Sequence, residues 1–194
     1  MRYLVFVGAI IHLIGVSLYI KAMFKRKVKP NKVTWLMWSV APLIGTFAAL
    51  SAGVGLAVIP LFMMGVGSLL VFIISLFRKN SYWKVNKFDY ICGILSVLAL
   101  VLWYITKEPI IAIIFSILSD FFAAVPTIIK AWKYPETESS SAYIAALLSA
   151  LTSFAAIKVW NFESLAFPCY LVIFNISAIF LIERGRLFKR KRDD

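Results

Sequence analysis

Residues 113–132 read IIFSILSDFFAAVPTIIKAW. At about 1.5 Å per residue, a helix of this length matches the roughly 30 Å hydrocarbon core of a bilayer. The stretch holds one carboxyl group, Asp120, near its middle, and no basic residue before Lys130. A charge at the centre of a spanning helix costs about 2.5–3.5 kcal/mol on insertion scales, so Asp120 is expected to face protein or a polar cavity. Ser116, Asp120, Ala123 and Thr127 recur at helical spacing and form one face of small and polar groups. A carboxyl group held there could also exchange a proton as the cavity opens and closes.

The rest of the chain has the same character. Of 194 residues, 62% are hydrophobic, against about 45–50% in soluble domains, and the mean hydropathy is +0.89. Seven apolar runs fit spanning helices: Tyr3–Ala22, Val33–Ser51, Leu56–Phe77, Phe88–Ile105, Pro109–Trp132, Ser141–Ile157 and Leu165–Ile182. The expected fold class is therefore an all-α integral membrane protein of seven transmembrane helices. Residues 33–77 form one uncharged run, too long for a single span, and SAGVG at 51–55 supplies glycines for a break. The first run lacks a small-residue cleavage site, and its positive cluster follows it, unlike a signal peptide. Cys92 and Cys169 both lie in apolar runs and are expected to be packing residues.

The net charge of +12 is not spread as a nucleic-acid surface would require. It falls in short clusters between apolar runs. One side collects residues 21–32, 78–87, Lys130, Lys133 and the tail from Arg184, which is 18 of 21 basic residues; the other has Arg2, Lys107 and Lys158. The positive-inside rule then places the N-terminus outside and the C-terminus inside. The clusters read as topology signals and lipid head-group contacts. The expected setting is a prokaryotic plasma membrane, with lipids and a small-molecule solute as partners, no nucleic acid, and room for a homo-oligomer.

A shift of 107 to 109 residues brings several features into register. YIKAMFK at 19–25 overlies IIKAWK at 128–133, Trp35 overlies Tyr143, FAAL at 47–50 overlies FAAI at 154–157, and Pro60 overlies Pro168. Four coincidences in order point to a duplicated three-helix unit. An odd-numbered unit keeps its direction only if one extra span separates the copies. The expected organisation is thus a first three-helix repeat over 1–80, a linker with an inversion helix over 81–107, and a second repeat with a basic tail over 108–194. That is a parallel 3+1+3 arrangement.

With this layout the chain resembles the PQ-loop superfamily, which includes SWEET sugar transporters, cystinosin-type exporters and KDEL receptors. The family's Pro-Gln motif has a counterpart in VPTIIK, where Pro126 matches the proline and Thr127 stands in place of glutamine. The first copy has VSLYIK, with Ser17 and Leu18 at those places. The resemblance implies alternating access to a midplane site. SWEET proteins line theirs with an asparagine on the third helix of each repeat; Asn175 stands at a similar place, and its partner position here is Gly67.

His12, the sole histidine, overlies Asp120 at the 108-residue shift, and both are candidates for solute binding and proton coupling. Asn175 can donate and accept hydrogen bonds. Trp35 and Trp38 begin the second span, where they could anchor at the interface or stack a planar or sugar-like solute. Bacterial nicotinamide riboside transporters share the general plan and use tryptophan-rich motifs. Pro42, Pro60, Pro126 and Pro168 are candidate hinges within four spans. No set of metal ligands, cofactor motif or catalytic nucleophile–base pair emerges. The expected function is a non-enzymatic carrier of a small polar solute such as a sugar, amino acid or nucleoside. The alternatives are a receptor or sorting protein and a structural membrane protein.

The orientation has a direct check. Single cysteines at 25–32 or in the tail should resist an impermeant thiol reagent in intact cells, whereas cysteines at 158–163 should label. Labelling of the 25–32 loop would reverse the topology.

Overall fold

In a computed structural model, residues 4–51, 59–77, 83–106, 109–155, 157 and 160–193 are described. Among them the apolar runs form seven α-helices: α1 (Leu4–Phe24), α2 (Lys32–Ser51), α3 (Ile59–Phe77), α4 (Lys87–Thr106), α5 (Pro109–Lys133), α6 (Ser141–Phe154) and α7 (Phe162–Asp193). A short 3-10 turn, Pro135–Thr137, precedes α6. The described residues include no strand. Residues 52–55 of the expected break, together with Arg2, Arg78, Lys79, Lys107 and Lys158, lie outside the described set.

Among the described residues, four helices are long and apolar enough to cross a membrane, over Leu4–Phe24, Lys87–Thr106, Ile113–Lys133 and Leu165–Arg184. α3 and α6 contribute shorter apolar stretches, Leu61–Phe77 and Ser141–Phe154. α6 stops short of the expected Ile157: Ala155 lies in a turn, and Ile157 is no longer helical. α7 instead continues past its apolar run into the basic tail.

The helices turn their faces opposite to those of a water-soluble bundle. On α1 the buried residues are Gly8, Ala9, His12, Gly15, Val16, Tyr19 and Met23. Leu4, Val7, Ile10, Ile14 and Leu18 point outward. Elsewhere Thr34, Ser68, Ser75, Ser96, Ser119, Thr127 and Asn175 are buried, while Ile94 is 60% and Ile173 67% exposed. A protein folded in water buries the isoleucines first. This surface suits lipid.

The packing order has a regular form. α3 packs against both α1 and α2, and α7 packs against both α5 and α6, whereas the first and second helices of each triplet make at most marginal contact. Between triplets, α1 lies on α6 and α2 on α5. α4 is peripheral, packed mainly on α5 and less on α2. The Ser96 hydroxyl ties it to α5, donating to the Ser119 carbonyl at 2.8 Å. Its start is fixed by a reciprocal cap in which the Asn86 N–H donates to Asp89 Oδ2 at 2.9 Å and the Asp89 N–H to Asn86 Oδ1 at 3.1 Å.

Pro42, Pro126 and Pro168 lie inside α2, α5 and α7. Pro60 is the second residue of α3 as described, and the residues before Ile59 lie outside the described set.

Close approach of α1 and α6 rests on glycine. A Cβ built on Gly15 would stand 2.1 Å from Ala145 Cβ and 2.8 Å from the Ser141 carbonyl oxygen. No flexible side chain is there to yield. Gly15→Ala should therefore lower stability by about 1–3 kcal/mol, the usual cost of overpacking, as read by denaturant unfolding in detergent micelles. An unchanged midpoint would show that the two helices can part without loss.

Candidate functional site

Six helices converge on one cavity, and α4 contributes nothing to its lining. Helical spacing sets what each presents: His12 and Val16 from α1; Trp35, Trp38 and Pro42 from α2; Met64 and Ser68 from α3. Asp120 comes from α5, Ala142, Tyr143 and Ala146 from α6, and Leu171, Phe174 and Asn175 from α7. All five residues marked in the sequence as solute contacts, Asp120, His12, Asn175, Trp35 and Trp38, thus meet on one cavity. Its volume is about 60 Å³, well below the roughly 300–1,000 Å³ of drug-sized ligand sites. Anything larger than a few waters requires the helices to separate.

The wall is aromatic. Trp38 stands at its centre, with ring centroids 5.4 Å from Trp35, 5.7 Å from Phe174 and 6.3 Å from Tyr143, all edge-to-face. Tyr170 stacks on Phe174 at 6.1 Å, and its hydroxyl donates to Asp120 Oδ2 at 2.7 Å. The ring wall therefore reaches the carboxyl group without a gap. Asn175 donates from Nδ2 to the Leu171 carbonyl at 2.7 Å on its own helix, which leaves Oδ1 as its accepting end. Next to His12 the neighbouring helix is bare: a Cβ on Gly67 would stand 3.3 Å from His12 Nε2. Gly67 overlies Asn175 at the 108-residue shift, and the imidazole fills space that a side chain there would take.

Several polar atoms of this lining lack partners. Both ring nitrogens of His12, the indole nitrogens of Trp35 and Trp38, and the Tyr143 hydroxyl are buried and make no hydrogen bond among the described residues. Buried polar groups are paired in the great majority of cases. A cluster of unpaired ones around one cavity is what a site for a polar guest requires.

Trp35 is 3% exposed and Trp38 half-buried, and both line the cavity. Lys130 corrects another expectation. It was counted among the head-group contacts, yet it is 1% exposed and forms an ion pair with Glu138. Its ammonium also donates to the Lys29 carbonyl and lies 5.7 Å from the Trp83 ring centroid. The Tyr19 hydroxyl donates to the other oxygen of Glu138 at 2.8 Å, and Thr127 bonds Thr34 at 2.9 Å between α5 and α2. These contacts close the end of the bundle that carries the basic clusters.

Tyr143, Phe174, Tyr170 and Glu138 were not singled out in the sequence as site residues. Tyr143 overlies Trp35 in the repeat, a signal that could have found it. Phe174 and Tyr170 share a helix face at a spacing of four, and Phe174 adjoins Asn175 in the sequence. Nothing local marks Glu138, whose partners are distant in sequence. No family model, curated protein or solved structure matches this chain.

A buried pair that loses one member leaves an uncompensated charge, at a cost of about 3–5 kcal/mol, whereas losing both charges is often nearly neutral. Lys130→Met alone should destabilise by that amount in denaturant unfolding. Adding Glu138→Gln, which still accepts from Tyr19, should recover most of it. Additive losses would show that the two side chains act independently.

Proposed function

We propose that this chain is an integral membrane carrier that moves a small polar solute by alternating access. The observation that carries the reading is the cavity, lined by both helix triplets and rimmed by unpaired buried polar groups. The packing order supports a parallel 3+1+3 organisation: each triplet places its third helix between the other two, and the α1–α6 and α2–α5 contacts exchange under a two-fold relation. In this reading the N-terminus is outside, the C-terminus is inside, and α4 is the inversion helix, as in the PQ-loop plan.

The interior prolines Pro42, Pro126 and Pro168 give three helices weak points at which to bend. Pro42 itself lines the cavity. Rocking of the triplets would break the Tyr19–Glu138, Lys130–Lys29 and Thr34–Thr127 contacts, which cross between them, and open the basic end. Asp120 either binds the solute or carries a proton, and Asn175 recognises a donor group.

Uptake into proteoliposomes across a panel of sugars, amino acids, nucleosides and amines, with and without a pH gradient, tests this. Asp120→Asn keeps the shape and removes titration, so uptake should lose its pH dependence while the protein stays folded. Asn175→Ala should raise KM about tenfold, the loss expected for one or two buried hydrogen bonds. Wild-type rates from Asp120→Asn with an unaltered pH profile would make the carboxyl group structural.

A further inference from the structure

We propose that the guest of this cavity is a small organic cation that also bears an oxygen acceptor. The inference deepens the carrier reading of the same site and rests on it. Charge decides the first part. Asp120 is the one carboxylate in the lining, and no lysine or arginine joins it. In a low-dielectric cavity a fixed negative group repels anions strongly and gives an uncharged sugar little advantage over water. Among the described residues Asp120 receives one hydrogen bond, from Tyr170 to Oδ2, so its second oxygen remains to face a guest.

The aromatic wall decides the second part. Aromatic faces attract ammonium groups, and aromatic cages are a recurrent solution for binding them. Here the cage and the carboxylate are continuous, because Tyr170 both bonds Asp120 and stacks on Phe174, which abuts Trp38. A transition-metal ion fits poorly, since no group of three or more His, Cys, Asp or Glu side chains exists among the described residues.

The unpaired donors decide the third part. The Trp38 indole nitrogen and the Tyr143 hydroxyl are buried without hydrogen-bond partners among the described residues. A bare hydrocarbon ammonium would leave them so. A hydroxyl or carbonyl oxygen on the guest would accept from them while the cationic end sits against Asp120.

The test is calorimetric binding to the purified full chain in detergent. Choline, ethanolamine and N-methylpyridinium are compared with their uncharged counterparts dimethylbutanol, propanol and toluene, and with glucose. At least one cation should bind about tenfold or more tightly than its counterpart, a factor within the range of a desolvated cation–π contact. Choline and ethanolamine, which carry a hydroxyl, should surpass N-methylpyridinium. Asp120→Asn should abolish the preference, Trp38→Leu should weaken it, and Asp120→Glu should retain it, which separates loss of charge from misfolding.

Equal binding of cations and neutral counterparts, absence of cation binding, or an unchanged preference in Asp120→Asn would overturn the inference. Proteoliposome flux separates it from the carrier reading. Flux of neutral solutes without cation preference leaves the carrier and removes the cation. Cation binding without flux of any solute leaves the site and removes the carrier.

Discussion

Large aliphatic side chains face outward in this protein, so the helices must be joined by what remains. That constraint governs the bundle. In water, burial of isoleucine and leucine would supply most of the association energy. Here many of those residues lie on the surface, and the closest helix contacts fall to glycine, alanine, serine and threonine, as in helices that associate within lipid. Gly8 and Gly15 let α1 approach Thr152 and Ala145 on α6 so closely that a methyl group would collide. Ser96 with Ser119 and Thr127 with Thr34 then fix α4 to α5 and α5 to α2 by hydrogen bonds. Small residues allow the approach, and polar ones choose the register.

The same constraint makes the two ends of the bundle unequal. Among the described residues, every buried position of α5 lies at or beyond Ser119, and every buried position of α7 at or beyond Asn175. Both stretches run toward the basic end. There Lys130, Glu138 and Tyr19 join α5, the segment before α6, and α1 through buried charge-assisted contacts. Breaking them exposes two charges to whatever replaces the protein. Water can fill that role at an aqueous interface, whereas lipid cannot. A seal of this kind is therefore stable when shut and can be hydrated when open. The cavity sits just beyond the seal.

The fold was legible because apolar periodicity and charge spacing are local properties. A carboxyl group in an apolar run, such as Asp120, could be placed toward the interior by cost alone, and the cavity receives it. His12 and Asn175 followed from the same reasoning. Trp35 and Trp38 were ambiguous because a helix end is both where membrane anchors reside and where the solute path narrows; only packing distinguishes these. Lys130 was misread for a related reason. Its spacing in the chain is that of a topology signal, while its ion pair with Glu138 depends on a turn whose placement the local pattern does not encode.

If the two triplets arose by duplication, their divergence is as informative as their likeness. At the paired positions the first copy holds His12 and Gly67, and the second holds Asp120 and Asn175. Two carboxylates facing one small cavity would repel, and one would have to stay protonated. A single carboxylate opposite an imidazole avoids that conflict. Glycine at 67 opens the space that the His12 ring occupies, so the two changes on the first copy depend on each other. Trp35 and Tyr143 diverged less, since both remain aromatic donors on the cavity wall. On that premise a symmetric scaffold would hold an asymmetric site, with a carboxyl group from one triplet and an imidazole from the other. The pairing also limits exchange between copies: restoring an asparagine at 67 would displace His12 before it could add a second amide to the cavity.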